Sequence, residues 1–216
     1  MSSRRANLLN LTLVAAAFVS AGAVYSRLPP RIPSHWNAAG QVNGWMSKPW
    51  GALMMPLTMA GITLLFAVVR RVSPKGYRVE TFAAPLAIVE AAVLAFMLTL
   101  NTAILLAGLG QTVSMNRIVS VGVGLLFVVL GNFMGKFTRN FFVGIRTPWT
   151  LASEEVWLRT HRLGGKVWVA GGLVVLAAAL VDGRSLAPLL LVIPFVALVP
   201  AVYSYVIYRR LEGPRS

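Results

Sequence analysis

An all-α, polytopic membrane fold with about six transmembrane helices follows from three features of this sequence. Hydrophobic residues make up 57% of the 216-residue chain and charged residues only 12%, about half the charged share of a soluble domain. The apolar residues gather into runs close to the roughly 20 residues a helix needs to cross a hydrocarbon core of about 30 Å. No run alternates polar and apolar residues as a lipid-facing barrel strand does, and so continuous a run satisfies its backbone in lipid only as a helix.

The runs lie at about 8–26, 51–70, 82–108, 117–135, 166–182 and 186–208. The first follows Arg4-Arg5 and ends near Ala21-Gly22-Ala23, so it also fits a cleavable signal peptide that would leave a chain starting at Val24. Its length favours a retained span. The third run is longer than a bilayer requires and contains Glu90, the one acid inside an apolar run. Such a residue is a functional candidate by default, or, given the surplus length, a headgroup-level residue. Asn101, deeper in the same run, and Asn132 in the fourth are expected to bond to neighbouring helices. Gly131-x-x-x-Gly135 ends the fourth run with a spacing that permits close helix packing. The fifth run falls short of a full span unless Gly164 and Gly165 belong to it.

With six crossings, fifteen of the twenty basic residues fall on the side of the two termini and of loops 70–81 and 136–166. Arg27, Arg31, Lys48, Arg117 and Arg184 remain on the other side. Lys and Arg resist translocation, so both termini are expected in the cytoplasm of a multi-pass protein of the bacterial cell membrane. The net charge of +14 therefore reports topology. The basic residues punctuate apolar runs and form no continuous basic face, so membrane lipids are the expected surroundings and nucleic acid is not an expected direct partner. The spans divide into an N-terminal half, 1–110, and a C-terminal half, 111–216.

Two polar segments break this pattern. The first, 27–50, reads Leu28-Pro-Pro-Arg-Ile-Pro-Ser-His-Trp-Asn37, then Gly40, Asn43-Gly44-Trp45 and Pro49-Trp50. Its prolines rule out helix and favour an extended course, and Gly40 and Asn43-Gly44 are turn formers. A short hairpin-like flap on the outer face follows. Trp36, Trp45 and Trp50 fit interfacial anchors, and His35 fits a hydrogen-bonded loop histidine. A rigid, aromatic, mildly cationic flap is equally able to receive an amphipathic peptide, which makes Pro33, His35, Trp36, Asn37, Gly40, Gly44 and Trp45 candidates; composition alone does not choose.

The second, 131–166, holds Asn140, Gly144, Arg146, Thr147-Pro148-Trp149, Glu155, Trp157 and His161-Arg162. Thr147-Pro148 is a helix start, with a capping hydroxyl followed by proline at the first helical position. Glu154 and Glu155 suit the early part of that helix, and Glu155 with Arg159 makes an i,i+4 pair. Ser153, Trp157, His161 and Gly165 share one face, which predicts a short amphipathic helix along the inner leaflet with Trp149 and Trp157 among the headgroups.

Catalytic chemistry is not expected. Cysteine is absent, and His35 and His161 fall on opposite sides of the membrane, so they share no metal. No zinc-protease motif, intramembrane aspartate pair, Ser/His constellation or phosphate-binding glycine loop occurs. No catalytic residue, metal or cofactor is assigned.

The string Asn140…Gly144-Ile-Arg-Thr-Pro-Trp-Thr150…Glu155-x-Trp157…Thr160-His-Arg162…Gly165 resembles the signature of the SdpI family of bacterial integral-membrane immunity proteins. Ile32-Pro33-x-His35-Trp36-Asn37…Gly40…Gly44 is similar to the uncharacterised domain that commonly forms the N-terminal half of these proteins. The resemblance implies protection against a secreted killing-factor peptide. It also implies a receptor role, in which the toxin-bound protein holds a small winged-helix repressor at the membrane. The flap at 27–50 would then face the toxin, and 136–166 with 70–81 the intracellular partner. A rival reading is a small-molecule or ion transporter built on an inverted repeat: split after the third run, the halves have opposite orientations, and each carries a Pro-Trp pair in its first long loop.

Overall fold

The computed structural model describes residues 3–72 and 79–212; Lys75, Arg78 and Arg215, counted above among the basic residues, and the side chain of Arg4 lie outside the described part. The elements run α1 (Ser3–Val24), β1 (Arg31–Trp36), β2 (Val42–Ser47), α2 (Lys48–Val72), α3 (Ala83–Gly108), α4 (Met115–Met134), α5 (Pro148–Ala152), α6 (Glu154–Val181) and α7 (Ala187–Glu212). Six helices, all but α5, are long and apolar enough to cross a membrane. The chain is a multi-pass membrane protein.

Contacts at the two ends of the bundle place the elements on alternating sides. At one end the β1–β2 hairpin lies over the helices. Ile32 is fully buried and packs with Ala21, Leu28, Ala52 and Leu105, from α1, its following turn, α2 and α3. Asn116, at the start of α4, donates to the carbonyls of Ala38 (2.9 Å) and Arg184 (2.7 Å), tying the hairpin turn to the α6–α7 loop. At the other end, Thr147 meets Ser204 at 2.9 Å, and Ser153 donates to Glu212 at 3.0 Å. That loop therefore shares its end with the C-terminus of α7. The five basic residues assigned above to the sparse side sit at the hairpin end, as the alternation requires.

Within the span region, polar residues pair across helices where lipid offers no partner. Asn101 of α3 donates to the Ser20 hydroxyl of α1 at 3.1 Å, as expected. Pro200 in α7 has no N–H to give the carbonyl of Val196, and the Trp168 indole of α6 donates to that oxygen at 3.0 Å. Glu90 is 1% exposed and pairs with Arg70 at the end of α2, 2.5 Å away. Its carboxylate is turned into the bundle, towards the last turn of α2. Asn10 of α1, also fully buried, sits beside the carboxylate, although no well-aligned hydrogen bond joins them. Three helices thus meet at one polar cluster.

The structure corrects three sequence expectations. The helix opened by Thr147-Pro148 ends after five residues at Ser153, whose backbone is extended (φ −133°, ψ 130°). A second helix then begins at Glu154 and runs unbroken into the fifth span, so residues 154–165 form no separate helix along the leaflet. Its predicted apolar face is the right one, turned into protein: Trp157, His161 and Gly165 are buried. Trp157 is fully inside, packed with Phe82, Leu86, Val89 and Phe137, and is not a headgroup anchor. Asn132 is exposed and bonds to no neighbouring helix among the described residues.

The glycine seam also differs. A Cβ at Gly131 would lie 2.6 Å from the carbonyl oxygen of Gly165, and one at Gly165 2.6 Å from that of Gly131. One turn pair further along, a Cβ at Gly172 would lie 2.6 Å from the Gly124 oxygen. Gly135 meets only the Arg162 stem, at 4.0 Å. The antiparallel α4–α6 contact thus uses glycines seven apart on each helix. An inverted repeat is not visible in the packing. In the first half the first and third spans make the closest pair, whereas in the second α4 packs on α6 and α6 on α7.

Candidate functional site

The polar segments become two built surfaces at opposite ends of the bundle. At the hairpin end, β1 and β2 pair antiparallel with a bulge around His35. Asn37 holds the turn: its side-chain oxygen accepts from the N–H groups of Ala39 (3.0 Å) and Gln41 (2.9 Å). Gly40 takes φ +76°, a left-handed conformation that L side chains avoid, and a Cβ there would lie 3.3 Å from the Asn116 amide. A Cβ at Gly44 would lie 2.7 Å from that of His35. His35 bonds through Nδ1 to the Asn43 side-chain oxygen at 2.5 Å, as a loop histidine should. Asn37, Gly40 and Gly44 therefore shape the flap from within.

What remains open to a ligand is aromatic. Pro33, Trp36 and Trp45 line a cavity of about 270 Å³ between the hairpin and the α3–α4 connection, where Gly110 and Thr112 form the opposite wall. Trp45 and Trp50 are 58% and 59% exposed. Lys48 sits over the Tyr25 ring, 4.8 Å from its centroid. The cavity lining is mixed, with two indole rings set among Gln111, Thr112 and small residues.

At the opposite end, residues 135–153 fold back onto α6. Asn140 is fully buried and uses all its bonding capacity locally: its amide donates to the carbonyls of Thr138 (2.8 Å) and Val143 (3.1 Å), while its oxygen accepts from Phe142 and Val143 N–H, both at 2.8 Å. His161 anchors the next stretch. Ile145 N–H donates to its Nε2 at 3.0 Å, so Nε2 is the acceptor and Nδ1 carries the proton that reaches the Trp157 carbonyl at 2.9 Å. The imidazole is thus neutral, stacked on the Trp157 ring at 4.0 Å. Trp157 donates to the Phe137 carbonyl at 2.7 Å.

Gly144 takes φ +111° against this pair, and any Cβ there would run into His161 Nε2. Arg146 reaches back to the Phe141 carbonyl. Thr147 and Thr150 form a reciprocal cap, with Thr150 N–H donating to the Thr147 hydroxyl at 3.2 Å and Thr147 N–H to Thr150 Oγ1 at 2.9 Å. Trp149 packs on Tyr205 of α7 with ring centroids 5.0 Å apart. Glu155 and Arg159 pair at 2.5 Å, as the spacing predicted.

The signature thus divides in two. Asn140, Gly144, Thr147, Trp157 and His161 build the loop; Arg146, Pro148, Glu155 and Arg162 are exposed on it. Sequence reasoning missed Asn10, Asn116 and the Gly124–Gly172 contact. Spacing by seven from Gly131 and Gly165 was the one available signal for the last.

The "SdpI/YfhL protein family" model matches residues 136–207, from the signature loop through α7. The "Domain of unknown function (DUF1648)" model matches residues 12–60, which contain the hairpin between α1 and α2. "Immunity protein SdpI" of Bacillus subtilis (strain 168) is 30% identical over 210 residues, covering 97% of this chain and 99% of the relative. No solved structure matches the chain. Similarity over nearly its whole length, with both motifs built into the bundle, makes this chain a member of the SdpI family of membrane proteins.

Proposed function

We propose that this protein confers immunity on the cell that makes it, by capturing a secreted membrane-active peptide at the hairpin face before the peptide inserts. The observation that carries this reading is the end-to-end similarity to an immunity protein, joined to a tryptophan-lined cavity at the hairpin end of the bundle. An amphipathic peptide would bury apolar side chains against Trp36 and Trp45, and the hairpin, already ordered, loses little entropy on binding. The charge distribution supports an outward hairpin and cytoplasmic termini. The opposite loop then offers Arg146, Pro148, Trp149 and Glu155 to an intracellular partner, a small winged-helix repressor by family resemblance.

Expression in a peptide-sensitive bacterial host tests the reading, with survival and membrane potential followed as peptide is added. Wild type should preserve both. Trp36→Ala/Trp45→Ala should require at least about tenfold less peptide for killing, as loss of two aromatic anchors implies. Arg146→Ala should leave protection intact and weaken partner recruitment. Unchanged killing with wild type, or full protection by the double tryptophan variant, would overturn peptide capture at this face.

Orientation has its own check, since the chain has no cysteine to interfere. In intact cells a membrane-impermeant maleimide should label Ser34→Cys and spare Ser153→Cys until the cells are permeabilised. Equal labelling of both would refute the assignment of sides.

A further inference from the structure

The α4–α6 contact leaves a groove on one flank of the bundle that the immunity reading does not use. Gly131, Gly135 and Gly165 have no side chains to fill it, and it opens to about 590 Å³ at the signature-loop end. Arg162 and Lys166, four residues apart and so on one face of α6, stand at its mouth with the exposed amide of Asn132 opposite. Both cations are exposed, and neither makes an ion pair among the described residues. Deeper along the same groove the lining turns apolar, through Val169, Ala170 and Leu173.

The order of these groups along α6 decides the ligand class. That helix has 28 residues, more than the roughly 20 a bilayer needs, so Arg162 and Lys166 fall at headgroup depth while Val169 to Leu173 lie among acyl chains. Two cations and an amide donor suit a phosphate, and a glycine-floored channel continuing into the hydrocarbon suits the attached chain. A soluble acidic protein would satisfy the cations and leave the apolar stretch unused. We infer that the α4–α6 groove is a binding site for one anionic phospholipid, its phosphate held by Arg162, Lys166 and Asn132 and one acyl chain laid along Val169, Ala170 and Leu173.

Native mass spectrometry of the full-length protein in a mild non-ionic detergent, titrated with phosphatidylglycerol or phosphatidylcholine, tests this. Wild type should retain one phosphatidylglycerol about tenfold more tightly than phosphatidylcholine, in line with what two juxtamembrane cations contribute. Arg162→Gln/Lys166→Gln should lose that preference, while Arg71→Gln/Arg210→Gln, which removes two exposed cations elsewhere at the same end, should keep it. Ala170→Trp, which obstructs the chain channel without touching the charges, should weaken retention of phosphatidylglycerol. Equal retention of the two lipids by wild type would overturn the site and leave the cations to a soluble partner. Displacement of the lipid by millimolar inorganic phosphate, or equal loss in the Arg71/Arg210 control, would overturn it as well.

Discussion

Gly165→Val should abolish the folded C-terminal half. The new Cβ would be placed 2.6 Å from the Gly131 carbonyl oxygen, and the obstacle is helix backbone, which cannot rotate aside as a side chain can. The contact is reciprocal, so the helices can relieve it only by separating. Separation would also undo the Gly124–Gly172 approach, the Phe127–Trp168 ring contact at 5.0 Å, and the seating of the signature loop on His161. Overpacking a core typically costs about 1–3 kcal/mol and sometimes more; here about 3 kcal/mol or more is expected. Gly61→Ala is the matched control, because nothing lies within 4 Å of a Cβ at that position. It should be neutral or stabilise by about 0.5–1 kcal/mol through helix propensity. Thermal unfolding of the purified variants in detergent, with the monodisperse fraction, measures both. A Gly165→Val protein that melts with wild type would mean that α4 and α6 are not in backbone contact.

The Arg70–Glu90 pair should show an unequal pattern of losses. Glu90 is 1% exposed, whereas the Arg70 side chain is 25% exposed near the end of α2. Removing the carboxylate in Glu90→Gln leaves an arginine whose long stem can carry its charge towards the interface, and the amide still accepts a hydrogen bond. Removing the cation in Arg70→Leu leaves an uncompensated carboxylate among α1, α2 and α3, a change that typically costs about 3–5 kcal/mol. Arg70→Leu should therefore destabilise far more than Glu90→Gln. The double variant Arg70→Leu/Glu90→Leu should recover most of the loss, because two apolar side chains impose no desolvation penalty. Melting temperatures of the set give the answer. If the double variant is as unstable as Arg70→Leu alone, the pair contributes something beyond neutralising charge.

These two predictions concern groups that were legible to different degrees. Glu90 was conspicuous as the only acid in an apolar run, yet the run does not name its partner. Arg70 lies twenty residues away in a neighbouring span and, in the sequence, is one of the basic residues that report topology. The hairpin was better determined: three prolines exclude helix and Gly40 supplies the turn, whereas Asn43-Gly44, also expected to turn, lie within β2 opposite the His35 bulge. The signature loop was legible as a motif and misleading as a shape. Trp157 and His161 read as the membrane-facing side of a leaflet helix because aromatic residues beside cations commonly lie at the interface. In the structure, Ser153 breaks the helix and turns that face against Phe137 and Ile145.

By itself, the sequence determined the number of spans, the extended flap and, through its motifs, the family. Each depends on local quantities: hydrophobic length, turn chemistry and the spacing of the motif residues. Only the tertiary structure decided which face of each helix meets protein, so Asn132 proved exposed, Trp157 proved internal, and the close contact ran through Gly124, Gly131, Gly165 and Gly172. The physical reason is the solvent. In water, polarity marks the outward face of a helix, but lipid tails are as apolar as a protein core, and hydropathy no longer distinguishes the two.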